Sequence, residues 1–284
     1  LGVYITFRLL DFADLTVDGS IATGAAVSVM LIRAGVSPIA TLPIAFLAGA
    51  LAGMVTGLLN TALGIPGILA SILTQISLYS INLNIMGKAN QPVSVDNYPL
   101  VVSLRYVTDG SVSRLLFFLG MIVFLLALIA VMYWYFGTEQ GHAIRATGCN
   151  SNMARAQGIN TNFIKVLALM ISNGLVGLCG ALYGQFQGAS DVNMGRGAIV
   201  IGLAAVIIGE VLFGKFASKR KLAFAFTLAS VILGAVIYYM VYQFVLWLKM
   251  PSEDMKLFSA IVVAIFLAIP YLKEKRTLRK GASK

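Results

Sequence analysis

The chain has 284 residues, of which 59% are hydrophobic and only 11% charged, against about 25% charged in an ordinary soluble domain. So few charges cannot cover a water-facing surface, which excludes a soluble enzyme or binding module. The net charge of +10 would point to nucleic acid in a soluble protein, but its placement excludes that partner: Lys215, Lys219, Arg220 and Lys221 form one cluster, Lys273, Lys275, Arg276, Arg279, Lys280 and Lys284 another, and both flank apolar segments.

Basic residues beside apolar segments mark cytosolic ends by the positive-inside rule, and such clusters attract anionic lipid headgroups. No Asp, Glu, Lys or Arg occurs in 34–87, 115–138, 166–190, 222–248 or 257–272. A spanning helix needs about 20 apolar residues, so the first of these runs holds two spans and most of the others one. Backbone in lipid must satisfy its own hydrogen bonds. The runs lack the period-two alternation of barrel strands. The expected fold is therefore all-α, a polytopic transmembrane bundle of about eight to ten segments, some short or broken.

In chain order the apolar segments are 1–10, 19–33, 37–60, 65–86, 115–137, 163–186, 197–213, 222–248 and 257–272. They form one membrane domain over 1–284, with no linker or soluble domain. The first begins at Leu1 without an initiator Met, so it is expected to be truncated. Segment 19–33 follows Asp11, Asp14 and Asp18. It fits either a full span or a half-helix that starts inside the membrane. Counting spans back from the basic C-terminus puts 249–256 outside, 214–221 inside, 187–196 outside, 138–162 inside and 88–114 outside.

Two stretches look alike, either as a loose internal repeat or as two ordinary Gly-rich membrane segments. Tyr4-Ile-Thr-Phe7 leads to Asp11 and Asp14 and then to a Gly-containing apolar segment; Tyr183-Gly-Gln-Phe186 leads to Asp191 and then to Gly195-Arg-Gly197 and another. Short glycine-interrupted segments in matching positions often mark a transporter's pathway. Gly49, Gly53 and Gly57, and again Gly180, Gly184 and Gly188, recur at four-residue spacing, which lets helix backbones approach closely.

Ionisable groups at membrane depth cost at least about 2.5–3.5 kcal/mol each on insertion scales. Asp14 and Asp18 are four residues apart, so on a helix they share a face, together with small and polar neighbours such as Ser20. With Asn193 they are the candidate lining of a substrate pathway. The alternative for Asp18 is a cap on segment 19–33. No catalytic residue is expected. A lone His142 and two cysteines, Cys149 and Cys179, do not make a metal site, and no cofactor is expected. Gly209-Glu-Val-Leu-Phe-Gly214-Lys215-Phe216 nearly fits a phosphate loop. It has Phe216 where Ser or Thr must bind magnesium, and it follows a membrane helix rather than a strand. ATP hydrolysis, where needed, must come from another chain.

The polar stretch 138–162 is the most informative. Asn150 or Ser151 suits a helix start, 152–157 is enough for about two turns, and Gly158 suits the end. By spacing alone it is either a short docking helix or an ordinary loop.

Gly141-His-Ala-Ile-Arg145-Ala-Thr-Gly148 followed by Asn152-Met153-Ala154-Arg155-Ala-Gln-Gly158-Ile159-Asn160-Thr161 resembles the cytoplasmic loop of the branched-chain amino-acid permease family of binding-protein-dependent importers, which includes sugar and nucleoside permeases. Gly180-Ala-Leu-Tyr-Gly184-Gln-Phe and Leu10-Asp-Phe-Ala-Asp14 extend the resemblance over nearly the whole chain. It implies that 138–162 is a coupling loop seated on a cytoplasmic ATP-binding subunit, with Arg145, Asn152, Met153, Ala154, Arg155, Gly158 and Ile159 carrying the contact. It further implies a homodimer of permeases, an external substrate-binding lipoprotein and residence in the bacterial cell membrane. Asp14 stands where the amino-acid branch usually has His. The pattern looks nearest to a branch paired with lipoproteins for aromatic amino acids.

Overall fold

The charge-free runs before residue 248 are helical in a computed structural model, which describes residues 1–94, 98, 100–102, 114–217, 223–247, 261, 264 and 268. The basic clusters beyond residue 217, the loop 249–256 and most of segment 257–272 lie outside the described residues. The chain opens with α1 (Gly2–Tyr4), which continues as a π-helical turn, Ile5–Leu9. Then come α2 (Thr16–Arg33), α3 (Pro38–Thr61) and α4 (Gly67–Met86). After a short strand β1 (Asn90–Pro92) follow α5 (Arg114–Phe136), α6 (Glu139–Cys149), α7 (Ser151–Ala156) and α8 (Thr161–Gln187). Strand β2 (Ala189–Asp191), α9 (Ala198–Ala217) and α10 (Ala223–Trp247) complete the order. Five of these helices, α3, α4, α5, α8 and α10, are long and apolar enough to cross a membrane. Together with the shorter α2 and α9 they make the all-helical polytopic bundle expected from composition.

The chain divides into two units, Gly2–Ile199 and the described residues from Val200 onward with Leu1. In the first, α2, α3 and α8 pack backbone to backbone. Gly49 and Gly53 of α3 abut the carbonyls of Asn173 and Leu169, while Gly24 of α2 abuts that of Gly177. A Cβ at any of the three would overlap a carbonyl oxygen. Lipid is as apolar as leucine, so in a membrane such close van der Waals contact replaces the hydrophobic effect as the force between helices. The order of these contacts makes α3 antiparallel to α8: Ala45 faces Gly177, Gly53 faces Leu169 and Gly57 faces Val166. By the same reading α2 runs parallel to α8 and to α4, with Gly19 beside Leu78 and Ala26 in one cluster with Met86. Of the second glycine series, Gly180 and Gly184 do pack, on Ile21 and Ala25 of α2, whereas Gly188 has φ +70° and ends α8 as a left-handed cap.

Strands β1 and β2 pair antiparallel, Asn90 with Asp191 and Pro92 with Ala189. This ribbon joins the two loops that span counting places on one side of the membrane. In the second unit, α9 and α10 form an antiparallel pair, with Gly209 against the Ser230 carbonyl and Gly234 against that of Ala205.

Helix α2 starts at Thr16 and not at residue 19. Its first turn meets α8 at Asn173, 12 residues after Thr161, or about 18 Å along that helix. It therefore begins within the bundle, as a half-helix does. After β2 the chain turns back: Val192 packs with Ala26, and Gly195 lies on the Asp18 backbone. Both Asp-bearing breaks thus lead into helices that begin against the side of α2 or α8.

Candidate functional site

Asp14 precedes α2 and is 2% exposed. Its Oδ1 accepts the Thr16 amide at 3.0 Å, and its Oδ2 accepts Nδ2 of Asn173 at 2.7 Å. Asn173 Oδ1 in turn accepts the Ser20 hydroxyl at 2.7 Å, and its Nδ2 also reaches the Leu169 carbonyl at 3.1 Å. Thr16 and Thr56 share a hydroxyl hydrogen bond at 2.8 Å. Further along the seam, Ser28 and Thr41 are hydrogen-bonded at 2.9 Å. Buried Gln185 donates to Ser28 Oγ and Thr41 Oγ1 at 3.1 and 3.3 Å and accepts the Val101 amide at 3.1 Å. Side-chain hydrogen bonds therefore cross every pair among α2, α3 and α8. In a low-dielectric interior these bonds are strong, and a satisfied network specifies one packing.

Asp14 and Asp18 do not share a helix face, because Asp14 falls before the first helical turn. Asp18 lies in that turn but caps a different helix: its two oxygens accept the Gly197 and Ile199 amides, each at 2.9 Å. These amides open α9, where free N–H groups and the helix dipole favour an anion. Asn193 is exposed, and its amide donates to Asp191 Oδ1 at 2.7 Å. Replacing Asp18 by Ala leaves two helix-opening amides without their acceptor. It should lower the stability of detergent-purified protein by about 1–3 kcal/mol, and Asp18→Asn by less, since one acceptor survives. Unfolding temperatures unchanged in both would remove the capping role.

The stretch 138–162 is two helices. Thr138 caps α6, with its side chain accepting the Gly141 amide. The helix holds Ile144 fully buried and brings Gly148 against the Leu9 carbonyl at the end of the π-helical turn. That contact needs glycine, since a Cβ would overlap the carbonyl oxygen. The Arg145 guanidinium lies 5.7 Å from the centre of the Phe136 ring; partial burial lowers its pKa from the usual value, and Tyr4 opposes this. Asn150 caps α7, its Oδ1 accepting the amides of Asn152 and Met153 at 3.1 and 3.0 Å. Gly158, φ +83°, follows the end of α7. Ala154 is buried and Ile159 half-buried, while Asn152, Met153, Arg155 and Gly158 are exposed. Arg155 Nε donates to Thr161 Oγ1 at 2.8 Å, holding α7 to the start of α8. Of the docking candidates, Asn152, Met153, Ala154 and Arg155 lie on the short, capped α7, with Asn152, Met153 and Arg155 exposed; Gly158 and Ile159 follow its end, and Arg145 lies on α6.

Charge and spacing single out Asp14 and Ser20 but pass over Asn173, which joins them. The available signal was an amide inside an apolar span, a residue type that lipid tolerates only with partners.

The sequence matches the profile of a family described as branched-chain amino acid transport system / permease component over residues 1–270. It is 40% identical over 268 residues to the tyrosine transport system permease protein of Clostridioides difficile (strain R20291), covering 94% of this chain and 85% of that one. An inner membrane ABC transporter permease protein of Escherichia coli (strain K12) is 26% identical, with 75% of this chain and 63% of the other covered. An autoinducer 2 import system permease protein of Yersinia pseudotuberculosis is 28% identical, covering 82% of this chain and 62% of that one. No solved structure matches. By its profile match, its apolar helices and these relatives, the chain belongs to the branched-chain amino-acid permease family and is a multi-pass permease subunit of the cell membrane.

Proposed function

We propose that this chain forms the membrane pathway of an ATP-driven importer for an aromatic amino acid, with tyrosine as the first substrate to test. The chain-long 40% identity to a tyrosine permease carries the substrate class. Two copies of the chain, two separate cytoplasmic ATPase subunits and an external binding lipoprotein would complete the transporter. Helix α7 is the docking piece, with Met153 as its outward anchor and Arg155 and the Asn150 cap fixing its pose. Movement there has a short route inward, because Gly148 touches Leu9 and the chain from Leu9 leads directly to Asp14. Asp14, Ser20 and Asp18 serve as the scaffold of the pathway wall, and Asn193 sits on the turn at its outer end.

The test is uptake into proteoliposomes holding this chain, its ATPase and its binding protein. Labelled tyrosine should accumulate only with ATP inside the compartment that α7 faces. Accumulation of a sugar in preference to tyrosine would replace the substrate, and accumulation without the ATPase would overturn the mechanism.

A further inference from the structure

Among the described residues, one fully buried amide side chain takes no part in the seam. Asn82 of α4 is 0% exposed, and among the described residues neither its Oδ1 nor its Nδ2 has a hydrogen-bond partner. Residues four apart on a helix share a face, so Asn82 lies on the stripe that also holds Leu78 and Met86. Leu78 contacts Gly19 of α2, and Met86 clusters with Ala26 of α2. Asn82 therefore lies on the α4 face toward α2, at a level between those two contacts.

The α2–α4 seam differs from the others in α2. The hydroxyls along it bond within their own helices: Thr23 to the Gly19 carbonyl, Ser71 to that of Ile68 and Thr74 to that of Ala70. Among the described residues no side-chain hydrogen bond links α2 to α4, whereas Ser20–Asn173, Thr16–Thr56 and Ser28–Thr41 tie α2 to α8 and α3. Among the described residues a polar link runs only at the C-terminal ends of the two helices, through Gln91, which accepts from Arg33 and donates to the Met86 carbonyl. Parting the seam below that level breaks no polar contact and relieves one unsatisfied amide. Of the five candidate spans, α4 also has the lowest hydropathy, 1.4, as suits a helix that meets water for part of a cycle.

Building on the import reading above, we infer that the α2–α4 seam is a gate which opens during transport, and that Asn82 then binds the charged backbone groups of the amino-acid solute. A primary amide suits that ligand, because it donates to a carboxylate and accepts from an ammonium.

Two measurements on the permease reconstituted with its ATPase and binding protein decide this. Asn82→Leu keeps the forked side-chain shape, with two bulkier methyls in place of the amide oxygen and nitrogen, and removes the unsatisfied amide, so the protein should unfold at an equal or higher temperature. Tyrosine uptake per folded permease should fall at least tenfold, with ATP hydrolysis kept within about twofold. Asn82→Cys, in a background with Cys149 and Cys179 replaced by Ser, should react with a small methanethiosulfonate in only one of two states, nucleotide-free or vanadate-trapped. Normal uptake by Asn82→Leu, whether its stability rises or falls, overturns the inference. So does an Asn82→Cys thiol that stays unreactive in both states, since the amide is then only a packing defect or a water site. Failure of the unaltered complex to accumulate tyrosine refutes the substrate reading instead, and the thiol reaction still decides the gate.

Discussion

Replacing Gly24 by Val should all but abolish recovery of folded permease. The Cβ would overlap the Gly177 carbonyl, which is backbone and cannot rotate away. Helices α2 and α8 must separate, and with them the Ser20–Asn173 bond and the Gln185 contact to Ser28. Overpacking costs typically about 1–3 kcal/mol, occasionally more, and here lost hydrogen bonds add to it. A drop of about 10 °C in unfolding temperature is the expected scale for the protein that survives. Gly120 in α5 is the control, because a Cβ there meets nothing within 4 Å. Gly120→Ala should be neutral or slightly stabilising by its helix preference. Fluorescence-detected size exclusion and thermal unfolding in detergent compare the two. Equal behaviour of the variants would mean that α2 and α8 do not meet at these glycines.

Met153→Asp should leave the permease folded and cut ATP-driven uptake by one to two orders of magnitude. The side chain is 63% exposed, and exposed substitutions usually change stability by no more than about 0.5 kcal/mol. An anchor at the centre of an interface is worth about 2 kcal/mol or more on truncation, and each 1.4 kcal/mol is a factor of about ten in affinity. On the docking reading, a carboxylate would add a desolvation cost in the surface that receives the methionine. Pull-down of the ATPase by detergent-solubilised permease should fall in parallel with uptake. Arg155→Glu tests the same piece another way, since it removes the Thr161 contact that holds α7 to α8. Unchanged recovery of the ATPase and unchanged uptake in both variants would remove α7 from the interface.

Composition alone determined the class of this protein. Charge-free runs of spanning length leave the backbone no partner but itself, so helices follow at once, and α3, α4, α5, α8 and α10 lie where the runs are. The cap and end of α7 were equally legible, because Asn150 and Gly158 act on neighbours within a few residues. The helix α6 before it was not, since its apolar residues are few and its place rests on burying Ile144 and setting Gly148 against Leu9 of the first segment. The glycine spacings predicted close packing but not the partners. Only the folded chain shows that Gly49 and Gly53 meet α8 while Gly188 ends it.

The candidate site was read least well, for a physical reason. Sequence spacing put Asp14 and Asp18 on one face, but the helix begins between them, and where a helix starts inside a bundle is set by what its first amides can reach. Asp14 found Asn173, 159 residues away, and Asp18 found the opening of α9, 179 and 181 residues away. Polar groups buried in a membrane protein are satisfied by whatever the packing brings alongside. Their presence is written in the sequence, while their pairing, and the one amide at Asn82 left without a partner among the described residues, belong to the tertiary structure.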